Sequence, residues 1–324
     1  MSAKPGVAVR PRRSAAPSPD RGNTSARLRP VAPARAGRLG GPALWAVILA
    51  TFLIFFALPL VWLLLAPTKT DHGLVTAQPL SFGSLSNIGS AWHHLIGYGN
   101  GALFVWLRNS LVYSFGAMAL AVMVAVPAGY GLAVTQFVGR RTLLGITLTV
   151  MIMPATALVL PVFLEMNALH LIGTALSVIL PFAFFPFGVY LAFIYFSTSI
   201  PRDLFAAARM DGCSEWQVFW HIAAPLAKPV VALVAFFNFV ANWNNFFLPF
   251  VMLPDTSTYP LQIGLENLLS STPSFNPGVG GTQVPIHRPE LALATLVAIA
   301  PVLLVFLFSQ RSLVRGLLAG ATKE

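Results

Sequence analysis

The sequence predicts an all-α, polytopic membrane protein with six transmembrane helices, and three observations predict it. Of 324 residues, 56% are hydrophobic and only 9% are charged, with a mean hydropathy of +0.74. Soluble chains carry about 25% charged residues, so these few charges cannot cover a water-facing surface of this size. Six apolar stretches are each long enough for the roughly 20 residues that cross a bilayer. The basic residues, finally, fall in alternate connections between those stretches.

The elements follow in order. Residues 1–42 are rich in Pro, Arg, Ala and Ser, carry no apolar periodicity, and read as a disordered basic tail. The first span, 43–66, holds no charge. It begins late and has full span length, which reads as an uncleaved signal anchor. Further spans are expected over 109–133, 142–164, 173–196, 229–253 and 291–310, within a membrane domain of 43–318. Pro154, Pro161, Pro181 and Pro186 lie inside the third and fourth. Such prolines are tolerated in membrane bundles where neighbouring groups satisfy the freed carbonyls. Residues 254–289 form a Pro-, Gly-, Ser- and Thr-rich external loop, and 319–324 a short C-terminal end.

Charge sets the orientation. Every Lys and Arg except Lys69, Arg108 and Arg288 lies in the tail, in the second-to-third loop, in the fourth-to-fifth loop or at the C-terminus. With six spans all four segments share one side, which the positive-inside rule makes cytoplasmic, with both termini there. The basic tail is then a topology determinant that also touches anionic lipid. A net charge of +10 distributed in this way does not indicate nucleic-acid binding.

The fourth-to-fifth connection, 199–225, is longer and more organised than a membrane protein without a soluble domain needs. Pro201 suits a first helical turn, and Asp203 there complements the helix dipole. Gly212 suits a left-handed cap. Ser214 and Gln217 have capping-box spacing. Trp216, Phe219 and Trp220 follow, and Pro225 is expected to stop the second helix. Two short helices around a glycine turn suit a docking element. An amphipathic hairpin lying on the membrane surface has the same pattern.

The same loop resembles the EAA-x3-G-x9-I-x-L-P signature of the membrane subunits of binding-protein-dependent ABC importers. Ala207, Ala208, Asp211, Gly212, Ile222 and Pro225 stand in register, while Ala206 replaces the glutamate and Ala224 the leucine. Arg108-Asn109-Ser110, Trp243-Asn244, Tyr259-Pro260-Leu261 and Gln310-Arg311 through Gly316 and Gly320 resemble the sugar-permease subgroup of the maltose-permease G type. The resemblance implies a type I importer permease fold in the plasma membrane of a prokaryote. It implies a second homologous permease, two ATP-binding subunits that carry ATP and Mg, and an extracytoplasmic solute-binding protein as partners. It also implies that the hairpin fits a cleft on an ATPase subunit, where the motif glutamate adds polar contacts. With Ala206 in its place, Arg209 or Asp203 is the candidate substitute.

No cofactor is expected in the chain itself. There is no GxxxxGK[ST] loop, no nucleophile–base arrangement and no metal-type Cys/His spacing around Cys213 or the adjacent His93 and His94. The glycines at Gly278, Gly280 and Gly281 read as flexible linker. Asn238, Asn242 and Asn245, spaced by four and three, are expected on one face of the fifth span. They are either a polar wall of the solute path or interhelical hydrogen-bond glue. Asn109 is expected as a helix cap or interface anchor. The external loop either approaches the binding protein or is a variable surface loop. A sugar or oligosaccharide is the expected solute. The alternatives are another small polar solute such as a glycerol phosphate, or an ion-coupled secondary transporter, which would usually carry ionisable residues deep in its spans.

Overall fold

The computed structural model describes residues 41–279 and 286–319. The predicted tail up to residue 40, Gly280, Gly281 and the end after residue 319 lie outside the described residues. The chain divides into two units, 1–53 and 54–324. Among the described residues there are helices and no strand.

Helix α1, Pro42–Leu65, spans the apolar first stretch and carries exposed side chains at nearly every described position. A short segment outside the predicted spans follows, with α2 at Asp71–Thr76 and α3 at Leu85–Gly97. Its anchor is Lys69, which is 4% exposed and donates its ammonium to the carbonyls of Gln78 and Pro79.

Helix α4, Ala102–Val134, is the longest rod. Its 33 residues extend about 50 Å at 1.5 Å each, more than a bilayer core. It begins at Ala102 rather than at Asn109, so Asn109 lies inside the helix and caps nothing. Its side-chain amide instead donates to the Ser257 and Tyr259 carbonyls, the expected anchor. Pro127 is accommodated within the helix.

The third and fourth expected spans are interrupted. The third becomes α5, Arg140–Ile152, and α6, Val159–Ala168, bent by 105° about a short turn. Pro154 forces the residue before it out of helical geometry, and Met153 is accordingly extended at φ −66°, ψ 137°. The fourth becomes α7, Leu176–Ala183, and α8, Pro186–Thr198, separated by Phe184 and Phe185.

Next come α9, Arg202–Met210, and α10, Glu215–Val218, then a wide turn through Phe219–Ala223 and α11, Ala224–Leu226. Pro225 therefore does not stop the second hairpin helix, as the sequence suggested. Pro225 has no N–H for the carbonyl four residues back. The backbone widens there, and the Ala224 N–H bonds the Phe219 carbonyl five residues back. The helix continues to Leu226 and only then turns, by 76°, into α12, Lys228–Trp243. Helix α13, Phe247–Met252, completes the fifth stretch after a second break. Helix α14, Leu261–Ser270, lies in the expected external loop, and α15, Arg288–Ala319, is the last span.

Among the described residues, four helical stretches are long and apolar enough to cross a membrane, and up to six if each bent pair counts as one. The rods meet through small residues. A Cβ added to Gly129 of α4 would stand 2.4 Å from the Ala192 Cβ and 2.8 Å from the Phe193 nitrogen on α8. Without a hydrophobic drive between helices in lipid, such close approach is what packs them.

Candidate functional site: a hairpin between spans and a cavity among broken helices

The hairpin is built by local rules. Helix α9 ends in a double-bonded glycine cap. The Cys213 N–H reaches the Ala208 carbonyl, the Gly212 N–H reaches that of Arg209, and Gly212 sits at φ +83°, where a side chain is strained. Ser214 and Gln217 form the reciprocal capping box that opens α10. One face then buries itself: Phe205, Ala208, Val218, Phe219 and Ala223 enter a core with Phe196 of α8 and Tyr130 of α4. The Tyr130 ring lies 5.5, 5.8 and 5.2 Å from those of Phe196, Phe205 and Phe219.

A polar clamp closes the hairpin on the same tyrosine. Arg209 donates through Nε to Glu215 Oε1 at 2.6 Å and through Nη2 to Oε2 at 3.2 Å, and the Tyr130 hydroxyl donates to Oε2 at 3.2 Å. The two-pronged guanidinium bond holds the Glu215 carboxyl below its ordinary range and pushes Arg209 up. Arg209 is thereby engaged within the hairpin. Asp203 is exposed and makes no side-chain hydrogen bond within the described residues. Of the signature positions, Ala206, Ala207, Asp211, Gly212 and Pro225 are exposed, Ala208 is buried and Ile222 is half-buried against the core. The outer face also presents Leu204, Met210, Trp216 and Trp220, with Met210 88% exposed.

The three asparagines do not form one face. Asn238 and Asn242 lie on α12, whereas Asn245 lies beyond its end. Asn238 is buried and donates to the Phe182 carbonyl at 2.8 Å. That carbonyl is the one four residues before Pro186, the partner that a proline nitrogen cannot bond. Asn238 thus satisfies the group that the α7–α8 break releases. Asn242 accepts from the Ser114 hydroxyl of α4 at 3.0 Å. Each leaves one buried amide atom, Oδ1 of Asn238 and Nδ2 of Asn242, without a partner. Asn245 accepts from the Leu248 N–H at 3.0 Å and so caps α13.

Asn245 also lines a cavity of about 240 Å³, and three of the helix breaks contribute to its wall. Ala155 and Thr156 come from the α5–α6 turn, Phe184 and Phe185 from the α7–α8 break, and Asn245 and Phe247 from the α12–α13 break. Helices α5 and α8 of 13 residues and α12 of 16 put those breaks about 20–24 Å from the hairpin end. The breaks therefore lie at a similar distance from that end, and they share one cavity. A second hollow of about 740 Å³ shares the wall at Ala155, Pro181, Phe184 and Phe185. Sequence reasoning missed this cavity; its trace was Pro154 and Pro186, read as tolerated kinks.

Sequence reasoning also missed the ordered layer at the far end of α4. Trp106 Nε1 donates to the Thr256 carbonyl and the Tyr113 hydroxyl to that of Thr258, while Ser110 Oγ accepts from the Leu261 N–H. Gly264 lies so close to Trp106 that an added Cβ would stand 2.1 Å from the indole. The expected loop thus holds a helix seated on α4. Nearby, His94 pairs with the buried Glu290 at 3.0 Å and Arg288 with Asp71 at 3.5 Å.

A bundle of broken spans with a structured hairpin between the fourth and fifth defines a membrane transport component. The chain belongs to the family described as binding-protein-dependent transport system inner membrane component, whose model matches residues 125–318. It is thus a multi-pass membrane protein and a non-catalytic transport subunit. It is 36% identical over 225 residues to the arabinooligosaccharides transport system permease protein AraQ of Bacillus subtilis, covering 69% of this chain and 75% of that one. It is 29% identical over 273 residues to the diacetylchitobiose uptake system permease protein NgcG of Streptomyces coelicolor, covering 83% and 82%. To the lactose transport system permease protein LacG of Rhizobium radiobacter it is 28% identical over 272 residues, covering 83% and 92%. Its fold matches a chain of a bacterial ABC transporter involved in the import of the acidic polysaccharide alginate, with TM-score 0.70 and 23% identity over 83% of this chain and 95% of that one.

Proposed function

We propose that the chain is one of two membrane-spanning subunits of an ATP-driven importer, that it takes up a sugar or oligosaccharide, and that two separate ATP-binding subunits work it from the cytoplasm. The observation that carries this reading is the hairpin. It is fixed to α4 and α8 on one face by an aromatic core and a bidentate clamp, and it presents Leu204, Ala206, Ala207, Met210 and Trp216 on the other. A membrane-surface hairpin needs no such fixed joint to a span; a handle that must move the span does. The signature positions Ala206, Ala207, Ala208, Asp211, Gly212, Ile222 and Pro225 all belong to it.

ATP binding closes the ATPase pair, the hairpins are carried with it, and α4 and α8 follow because Tyr130 and Phe196 are locked to Phe205 and Phe219. A soluble binding protein then delivers solute on the opposite side, where α14 and the 256–261 segment sit on α4. The sugar assignment comes from the relatives, whose names specify arabinooligosaccharides, diacetylchitobiose and lactose. The basic residues of the hairpin end, Arg140, Arg141, Arg202 and Lys228, support a reading with both termini in the cytoplasm. Because Arg209 is engaged by Glu215, Asp203 is the carboxylate on α9 left to replace the motif glutamate, one turn before Ala206.

The complex reconstituted in proteoliposomes is expected to take up saccharide only with ATP and binding protein, and to stop with vanadate. Uptake that follows an ion gradient and ignores vanadate would contradict the reading.

A further inference from the structure

We propose that the cavity among the three helix breaks is a transit site for one neutral saccharide ring, seated on the phenylalanine faces and read by Asn245 and Thr156. The inference rests on the importer reading above and assigns the place where this subunit meets the solute.

Three interrupted helices at one level are costly in hydrocarbon unless the freed backbone is buried in protein or lines a wet cavity. Here all three line the same cavity. Protein groups repair part of the freed backbone: Asn238 takes the Phe182 carbonyl and Asn245 caps the Leu248 N–H. Much of the remaining wall is aromatic, from Phe184, Phe185 and Phe247, with Phe184 65% exposed and Phe247 45%. An apolar wall with a few placed polar groups is the usual make-up of a small-molecule site.

The chemistry of the lining selects the occupant. Among the described residues no Lys, Arg, His, Asp or Glu lines the cavity, so an anionic solute such as a phosphate ester or a uronate would lie there without a counter-charge, at a high desolvation cost. A hydrocarbon chain would leave the two polar groups unpaired. Asn245 spends its carbonyl oxygen on Leu248 and keeps its amide N–H pair, and the Thr156 hydroxyl makes no bond within the described residues. The site therefore offers two amide donors and one hydroxyl beside electron-rich ring faces. A pyranose or furanose ring presents the complement: hydroxyl and ring oxygens at its edge, and a face of weakly positive C–H groups that sits on a π system. The volume, about 240 Å³, exceeds the roughly 150 Å³ of a cavity that takes a benzene ring, which suits one ring. An oligosaccharide would pass ring by ring. Two polar anchors on an apolar wall hold a ring weakly enough to release it.

The test uses the whole importer with its ATPases and binding protein, reconstituted in proteoliposomes and offered maltose, lactose, cellobiose and glucuronate-containing disaccharides. Thr156→Val and Phe184→Ala alter exposed side chains, and Asn245→Asp keeps the oxygen that caps α13 while removing the amide donors. Each is expected to lower the maximal uptake rate of the transported neutral sugar about five- to tenfold, with binding-protein-stimulated ATP hydrolysis within twofold of wild type. In a Cys213→Ser background, Phe247→Cys should react with a membrane-permeant maleimide and be protected at least threefold by the transported sugar. If the wild type transports a neutral sugar while all three variants match it and Phe247→Cys is unprotected, the cavity proposal is overturned and the importer reading stands. If the wild type transports only the acidic sugar, the neutral-ring assignment fails. If it transports no saccharide, both readings fail.

Discussion

The hairpin end and the broken-helix level of this protein are built on opposite plans. At the hairpin end, α4, α8, α9 and α10 share one continuous core, and Tyr130 is both ringed by three phenylalanines and bonded to the Arg209–Glu215 clamp. About 20 Å along α8 from that end, its break and those of α5–α6 and α12–α13 meet around a cavity faced by exposed phenylalanines. A region filled at interior density moves as a unit. A region of short half-helices and unfilled volume can rearrange locally. The contrast suits a subunit in which force enters at one level and solute passes at another, with unbroken α4 joining the two.

Removing the centre of the packed end should have the largest effect. Phe205 is fully buried, and Phe205→Ala in a core of this kind costs about 3–5 kcal/mol. The hairpin should become protease-sensitive and ATPase co-purification should be weakened, while the cavity variants retain it in full. Gly129→Ala should come next. The new Cβ meets backbone and side chain of α8, and overpacking costs about 1–3 kcal/mol, to be read as a lowered melting temperature in detergent. An unchanged melting temperature would show that α4 and α8 are not locked at this point.

A smaller effect is expected at the clamp, and it has a pH signature. The folded Glu215 carboxyl titrates below its ordinary value near 4.5. Its contribution is therefore complete above that value and is lost as pH falls through the lower folded one. Both side chains are more than a third exposed, which limits the effect to a few tenths of a kcal/mol. Glu215→Gln should abolish this acid-side loss of hairpin protection and leave the neutral-pH melting temperature nearly unchanged. The smallest expected change is at Ala206. Ala206→Glu restores the signature residue on an exposed face and should leave ATPase pull-down intact or strengthen it, and it should rescue a weakened Asp203→Asn. Loss of pull-down in Ala206→Glu would show that the hairpin register is wrong.

The packed end was legible in the sequence because its rules are local. Gly212, Ser214 and Gln217 announce a glycine cap and a capping box within a few residues, and both are present. The broken level was not legible, because a proline states only that a carbonyl is freed. Pro127 and Pro301 lie within continuous helices, while Pro154 and Pro186 adjoin breaks, and the difference rests with neighbours far along the chain. Asn238 shows it most directly: its spacing with Asn242 left open a polar path or interhelical hydrogen-bond glue, and its partner is the carbonyl released at Pro186. Pro225 misled in the opposite sense, since the wide turn before it let the helix run on. The layer on α4 was invisible for another reason. Helices α2, α3 and α14 are too short to register as spans, and Trp106, Asn109, Ser110 and Tyr113 declare their role only through the backbone of 256–261 that they bond.

The most direct test of the account is the ratio of solute transported to ATP hydrolysed in the reconstituted importer, compared between Phe205→Ala and Thr156→Val. The account predicts that Phe205→Ala loses stimulated hydrolysis and uptake together, so that its ratio holds while both rates fall. Thr156→Val should keep hydrolysis and lose uptake, so that its ratio falls about five- to tenfold. Equal ratios in both variants, or hydrolysis lost in Thr156→Val, would contradict the division of labour between the two ends of the bundle.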